Sequence, residues 1–77
     1  ITNIDIELGK MSFLKISIID ITGKEIKVIG NKNYSAGSIT LQWDGSNADG
    51  HQMPSGIYYC RLKSDASVIS KKMILIK

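Results

Sequence analysis

The stretch Leu14-Lys15-Ile16-Ser17-Ile18-Ile19-Asp20-Ile21-Thr22-Gly23-Lys24-Glu25-Ile26 decides the fold class. Leu14, Ile16 and Ile18 alternate with Lys15 and Ser17, which places apolar side chains on one face of an extended strand. After a break the pattern returns, with Ile26 and Val28 flanked by Glu25 and Lys27. The break, Asp20 to Lys24, has turn chemistry. An Asp carboxylate accepts hydrogen bonds from backbone two residues on, and glycine supplies a positive φ. Strand, tight turn, strand is a β-hairpin.

Working outward, the period of two persists. Ile4, Ile6 and Leu8 alternate with Asn3, Asp5 and Glu7, and Gly9 to Ser12 turns the chain. Residues 30–37 read as a connection. Ile39, Leu41 and Trp43 then alternate with Ser38, Thr40 and Gln42. Asp44 to Gly56 is polar, with three glycines and the only proline, and reads as one long loop at an end of the sheet. Ile57 to Lys63 is a fifth strand, Ser64 to Ser67 a turn, and Val68 to Lys77 a last strand that is apolar on parts of both faces. No window carries an apolar helical stripe for three turns. Short strands at this spacing predict an all-β fold: a small immunoglobulin-like antiparallel β-sandwich of about six to seven strands. The count falls slightly short of seven, so one strand is either missing or hidden in residues 30–37.

Composition bounds the function. The 77 residues form one domain, and 43% are hydrophobic, too many for a disordered tail. So small a fold has little core to give up for a catalytic cleft. A single cysteine excludes an internal disulfide and a four-cysteine zinc site. No apolar run approaches the ~18 residues of a membrane span, and no signal pattern opens the chain. The net charge of +3 is uneven. Residues 1–56 hold five Lys against six acids, while residues 57–77 hold Arg61, Lys63, Lys71, Lys72 and Lys77 against Asp65. Nucleic-acid binders show denser basic clusters with interleaved aromatics, so these lysines read as solvated positions and edge-strand gatekeepers. What remains is a small binding, structural or sorting module.

Candidate chemistry is sparse. His51 lies in the long loop and Cys60 in a strand, and neither belongs to a recognisable nucleophile–base pair, so the chain is not expected to be an enzyme. Asp44, Asn47 and Asp49 cluster as calcium ligands do, but EF-hand spacing fails at Ala48 and Ser55. Asx-type turns, with Gly45 and Gly50 at special dihedrals, explain the same residues, and no metal or cofactor is expected. Trp43 shares a face with Ile39 and Leu41, which favours the core. Its alternative is a sugar-stacking platform with Tyr58 or Tyr59. Those two tyrosines are adjacent, so one must face in and one out.

The order of the motifs resembles a known family. Leu14–Ile26, with Asp20 and Gly23 in its turn, is similar to the strand, Asp-x-x-Gly turn and strand of type A C-terminal sorting domains of the type IX secretion system in Bacteroidetes. Ser55-Gly56-Ile57-Tyr58-Tyr59-Cys60-Arg61-Leu62 resembles that family's Gly-hydrophobic-Tyr strand, and Tyr34-Ser35-Ala36-Gly37 its Ala-Gly connection. Ser70-Lys71-Lys72-Met73-Ile74-Leu75-Ile76-Lys77 is similar to its Lys-rich closing strand. The family's Pro-Asn-Pro opening is missing, so the chain reads as a fragment of a larger precursor. Trp43-Asp44-Gly45-Ser46-Asn47-Ala48-Asp49-Gly50, followed by Pro54-Ser55-Gly56-Ile57-Tyr58, is also similar to the Ig-like domain of flagellar hook-capping proteins. The closing strand favours the sorting domain.

That resemblance implies an address rather than a catalyst. Such a domain follows an upstream cargo domain through the periplasm. The outer-membrane type IX machinery reads it, and a sortase-like protease removes it, leaving the cargo secreted or on the cell surface. Residues 71–77, from Lys71 through Met73, Ile74, Leu75 and Ile76 to Lys77, would be the segment read, by strand addition with lysine charge adding specificity. A structural Ig-like spacer and a carbohydrate- or calcium-binding module are the alternatives. Self-association through free sheet edges is a further expectation.

Overall fold

A computed structural model of the chain describes residues 2–76. Six strands follow one another: β1 (Thr2–Leu8), β2 (Ser12–Asp20), β3 (Glu25–Tyr34), β4 (Gly37–Trp43), β5 (Gly56–Lys63) and β6 (Val68–Leu75). They form two antiparallel sheets, a small one of order β1-β4 and a larger one of order β3-β2-β5-β6. This is the all-β, Ig-like sandwich expected from the alternating pattern.

The alternation dictates what lies between the sheets. In the small sheet Ile4 stands opposite Leu41 and Ile6 opposite Ile39, so both strands turn their apolar residues to one side. In the larger sheet Ile16 stands opposite Leu62 and Ile18 opposite Cys60. Ile16, Ile18 and Cys60 are wholly shielded from solvent, and Ile4, Leu14, Trp43, Tyr58, Met73 and Leu75 join them in one core. Of the two adjacent tyrosines, Tyr58 is the one that faces in.

Residues 30–34 are strand, not connection. β3 continues to Tyr34, with Lys32 opposite Leu14 and Asn33 opposite Phe13. Two effects hide this in the sequence. A bulge between Ile16 and Ser17 shifts the register, so the period of two breaks near Ile29 and Gly30. Beyond it β3 is an edge strand whose exposed residues, Asn31, Lys32 and Asn33, carry loop-like chemistry. The segment therefore lengthens β3 instead of supplying a seventh strand. At the other end, β6 closes at Leu75, while Lys77, expected as part of the last strand, lies outside the described residues.

Gly30 is where backbone and side chain meet most closely. Its φ is not positive, so conformational freedom is not its role. A Cβ there would run into the hydroxyl of buried Tyr34 and press on Ile16. Gly30→Ala is expected to destabilise the fold by about 1–3 kcal/mol through overpacking. Removing the obstructing hydroxyl in Gly30→Ala/Tyr34→Phe should recover part of that loss, as read by urea unfolding of the three proteins.

Candidate recognition surface

The end of the sandwich that carries the long loop is built on Trp43 and Tyr58. Trp43 closes β4 with 1% of its surface exposed, and its indole Nε1–H donates to the Ser46 carbonyl at 2.8 Å. Tyr58, near the start of β5, meets that ring edge-on with centroids 5.1 Å apart. Its hydroxyl donates to the Pro54 carbonyl at 2.7 Å, so the ring also fixes the approach to its own strand. Trp43 thus belongs to the core, and the sugar-stacking alternative loses its platform. Tyr58→Phe removes one hydrogen bond and no apolar surface. It should cost about 1 kcal/mol in chemical unfolding, a small loss beside the ~3–5 kcal/mol expected for Trp43→Ala.

Asp44 and Asn47 each turn one side-chain oxygen to backbone N–H groups of the loop itself. Asp44 Oδ1 accepts from Ser46 N at 3.0 Å and from Ser46 Oγ at 2.5 Å, with Lys27 Nζ 3.4 Å away. Asn47 Oδ1 accepts from Asp49 N and His51 N. The Ala48 N–H donates to the Ile26 carbonyl, which fastens the loop to the start of β3. These are Asx turns, as the structural alternative had it. Among the described residues no group of three His, Cys, Asp or Glu side chains is brought together as a metal site. Gly45 has a φ of 84°, and a Cβ there would also crowd Gln52 and Leu75, so the loop lies against the end of β6. Gly50 and Gly56 complete the loop's glycines.

The hairpin turn repeats this chemistry. Asp20 Oδ1 accepts from the Thr22 N–H at 2.9 Å, the Thr22 hydroxyl at 2.6 Å and the Lys24 N–H at 3.0 Å, while Gly23 adopts a φ of 92°. The Thr22 hydroxyl, followed by the Lys24 N–H, holds the Asp20 carboxyl below the usual range. The Ser46 hydroxyl and N–H, helped by Lys27, lower Asp44 from 3.8 to about 2. Both carboxylates are ionised more easily in the folded chain than in the unfolded one. The stabilisation each contributes is present above its unfolded pKa and lost as pH falls through its folded one, which for Asp44 means between about 3.8 and about 2. Acid titration of stability should show this loss, with a shallower slope in Asp44→Asn.

Cys60 and His51 remain apart in role. Burial pushes the Cys60 thiol up to about 11, so it packs as a small hydrophobe, whereas His51 is exposed in the loop. On the outer face of the larger sheet, Glu25 Oε1 lies 3.2 Å from Lys15 Nζ and 3.5 Å from Arg61 Nη2. Sequence spacing gave no sign of this trio, because the strand register alone joins β2, β3 and β5 there.

The predicted recognition strand divides by side-chain direction. Met73 and Leu75 enter the core, opposite Tyr58 and Gly56. Ile74 and Lys72 stand on the outer face, opposite Ile57 and Tyr59, and both are exposed. Ile76, just past the strand, is 83% exposed. Lys71 starts on the core-facing side but at the uncovered margin, and its Nζ reaches across to the Asp5 carbonyl of β1 at 3.5 Å. Among the described residues β6 pairs only with β5, so its other edge carries no strand.

A two-sheet antiparallel sandwich pinned by a buried Trp–Tyr pair defines an Ig-like β-sandwich module. The family model of the FlgD Ig-like domain matches residues 2–67. The chain belongs to that family, in line with its resemblance to the Ig-like domain of hook-capping proteins. No curated protein matches it.

Proposed function

We propose that this Ig-like module is a non-catalytic sorting address that takes an upstream cargo domain through the type IX secretion system, by way of the periplasm, to the cell surface or beyond. The observation that carries the reading is β6. It pairs with β5 on one side only, among the described residues, and has Lys71 and Lys72 exposed, in a chain whose motif order resembles type A sorting domains. The outer-membrane machinery would add a strand to the free edge, matching backbone N–H and C=O groups. The lysines would select an acidic counterpart, and the buried Met73 and Leu75 would hold the strand in register. A sortase-like protease would then separate cargo and address.

Family membership favours a second, coarser reading, a structural Ig-like spacer, because the match covers residues 2–67 and leaves β6 outside it. The two readings part in one experiment. Residues 1–77 fused behind a periplasmic reporter, in a host with a type IX system, should bring the reporter to the surface. Deleting residues 71–77 should trap it, and Lys71→Gln/Lys72→Gln, which keeps the strand, should lower surface delivery severalfold. Periplasmic retention of the intact fusion would leave the spacer reading.

A further inference from the structure

The two sheets are unequal, and the mismatch leaves an opening. Strands lie about 4.8 Å apart within a sheet, so two strands cannot roof four. Among the described residues β1 has only β4 as neighbour and β6 only β5. Both free edges lie on the same side of the sandwich. Between them is an opening of about 330 Å³ whose lining includes Ile6, Leu8, Leu14, Leu62, Ile69 and Lys71. Ile69 stands opposite Leu62 on the core-facing side of β6 and is nevertheless 61% exposed. It is a core position without a roof.

We infer that this opening is a docking cleft for an extended segment of a partner protein, which joins the free edge of β1 and turns apolar and then acidic side chains inward. A strand beside β1 would lie over β6 and give the three-plus-four arrangement of seven-stranded Ig domains. Its inward side chains would cover Ile69 and Lys71. Covering Ile69 removes apolar surface from water. Covering Lys71 strips solvent from an ammonium that is held by a single long hydrogen bond to the Asp5 carbonyl, 3.5 Å away, so a carboxylate on the incoming strand is the complement that offsets the cost. The outward residue between them falls beside Asp5 and Glu7, which project to solvent from β1, and there a basic or hydroxyl side chain fits and an acid does not.

Direction fixes the order of the motif. Thr2 pairs with Trp43, Trp43 meets Tyr58, and Tyr58 pairs with Met73, so the start of β1 lies at the far end of β6. Leu8 and Ile69 share the opposite end at the cleft. β1 and β6 therefore run in opposite senses. An antiparallel addition to β1 runs with β6 and meets Ile69 before Lys71, giving the order apolar, basic or hydroxyl, acidic. A second copy of this chain fits poorly, because β1 turns Asp5 and Glu7 outward and β6 carries no acid. Self-pairing would cover Lys71 without a carboxylate. The inference uses the backbone edge of β1 where the sorting reading uses that of β6, and the two share Lys71, so Lys72→Gln, which leaves the cleft untouched, tells them apart.

The probe is a labelled peptide, acetyl-Val-Thr-Ile-Lys-Glu-Lys-Val-Thr-amide, compared with one in which Lys replaces Glu. Fluorescence anisotropy should show the Glu peptide binding at least about tenfold more tightly. Lys71→Glu, an exposed substitution, should reverse that preference, and amide exchange should show new protection on β1. Equal binding of the two peptides, or none at millimolar concentration, would overturn the inference. So would sedimentation showing a dimer that protects β1 by itself, which would give the cleft to a second copy.

Discussion

The edge-on contact of Trp43 with Tyr58 holds the molecule together. Trp43 ends a strand of the small sheet and Tyr58 begins a strand of the larger one, so the pair is a bolt between layers. Each ring also carries a polar tip that must find a partner when buried. The indole takes the Ser46 carbonyl and the phenol the Pro54 carbonyl, which pins both ends of the 44–56 loop to the core. That loop in turn lies against Leu75 at the end of β6. The strand proposed as the recognition element is therefore positioned through a contact between two aromatic rings on other strands.

The same construction explains why one side of the sandwich stays open. At the Trp43 end, loop and aromatic rings bury Met73 and Leu75 although the small sheet has only two strands. At the other end the small sheet has no third strand among the described residues, and Ile69 remains uncovered. A fold this small has few residues with which to cover both ends. The exposed lysines of β6 keep its margins wet, which blunts indiscriminate pairing while leaving the backbone edges accessible.

Much of the fold was legible because burial on one face imposes a period of two. The hairpin of β2 and β3, the turn chemistry of Asp20 and Gly23, and the inward place of Trp43 follow from local pattern alone. The Asx turns at Asp44 and Asn47 were also local, since their acceptors bond N–H groups within four residues. The extension of β3 to Tyr34 was not, because a bulge erased the period and an edge strand has polar residues on both sides. The site was less legible still. Residues 71–75 read as one basic, apolar strand, yet two of their side chains serve the core and Lys71 crosses to the other sheet.

The sequence by itself determined an all-β chain of short antiparallel strands, with one loop built from turn residues and charge gathered toward its end. Those features depend on neighbours a few residues apart, where φ, ψ and side-chain alternation act. Only the tertiary structure decided that β1 pairs with β4, that the larger sheet runs β3-β2-β5-β6, and that the free edges of β1 and β6 fall side by side. Those depend on which strands meet across long stretches of chain, and the pattern within each strand is the same whichever partner it takes.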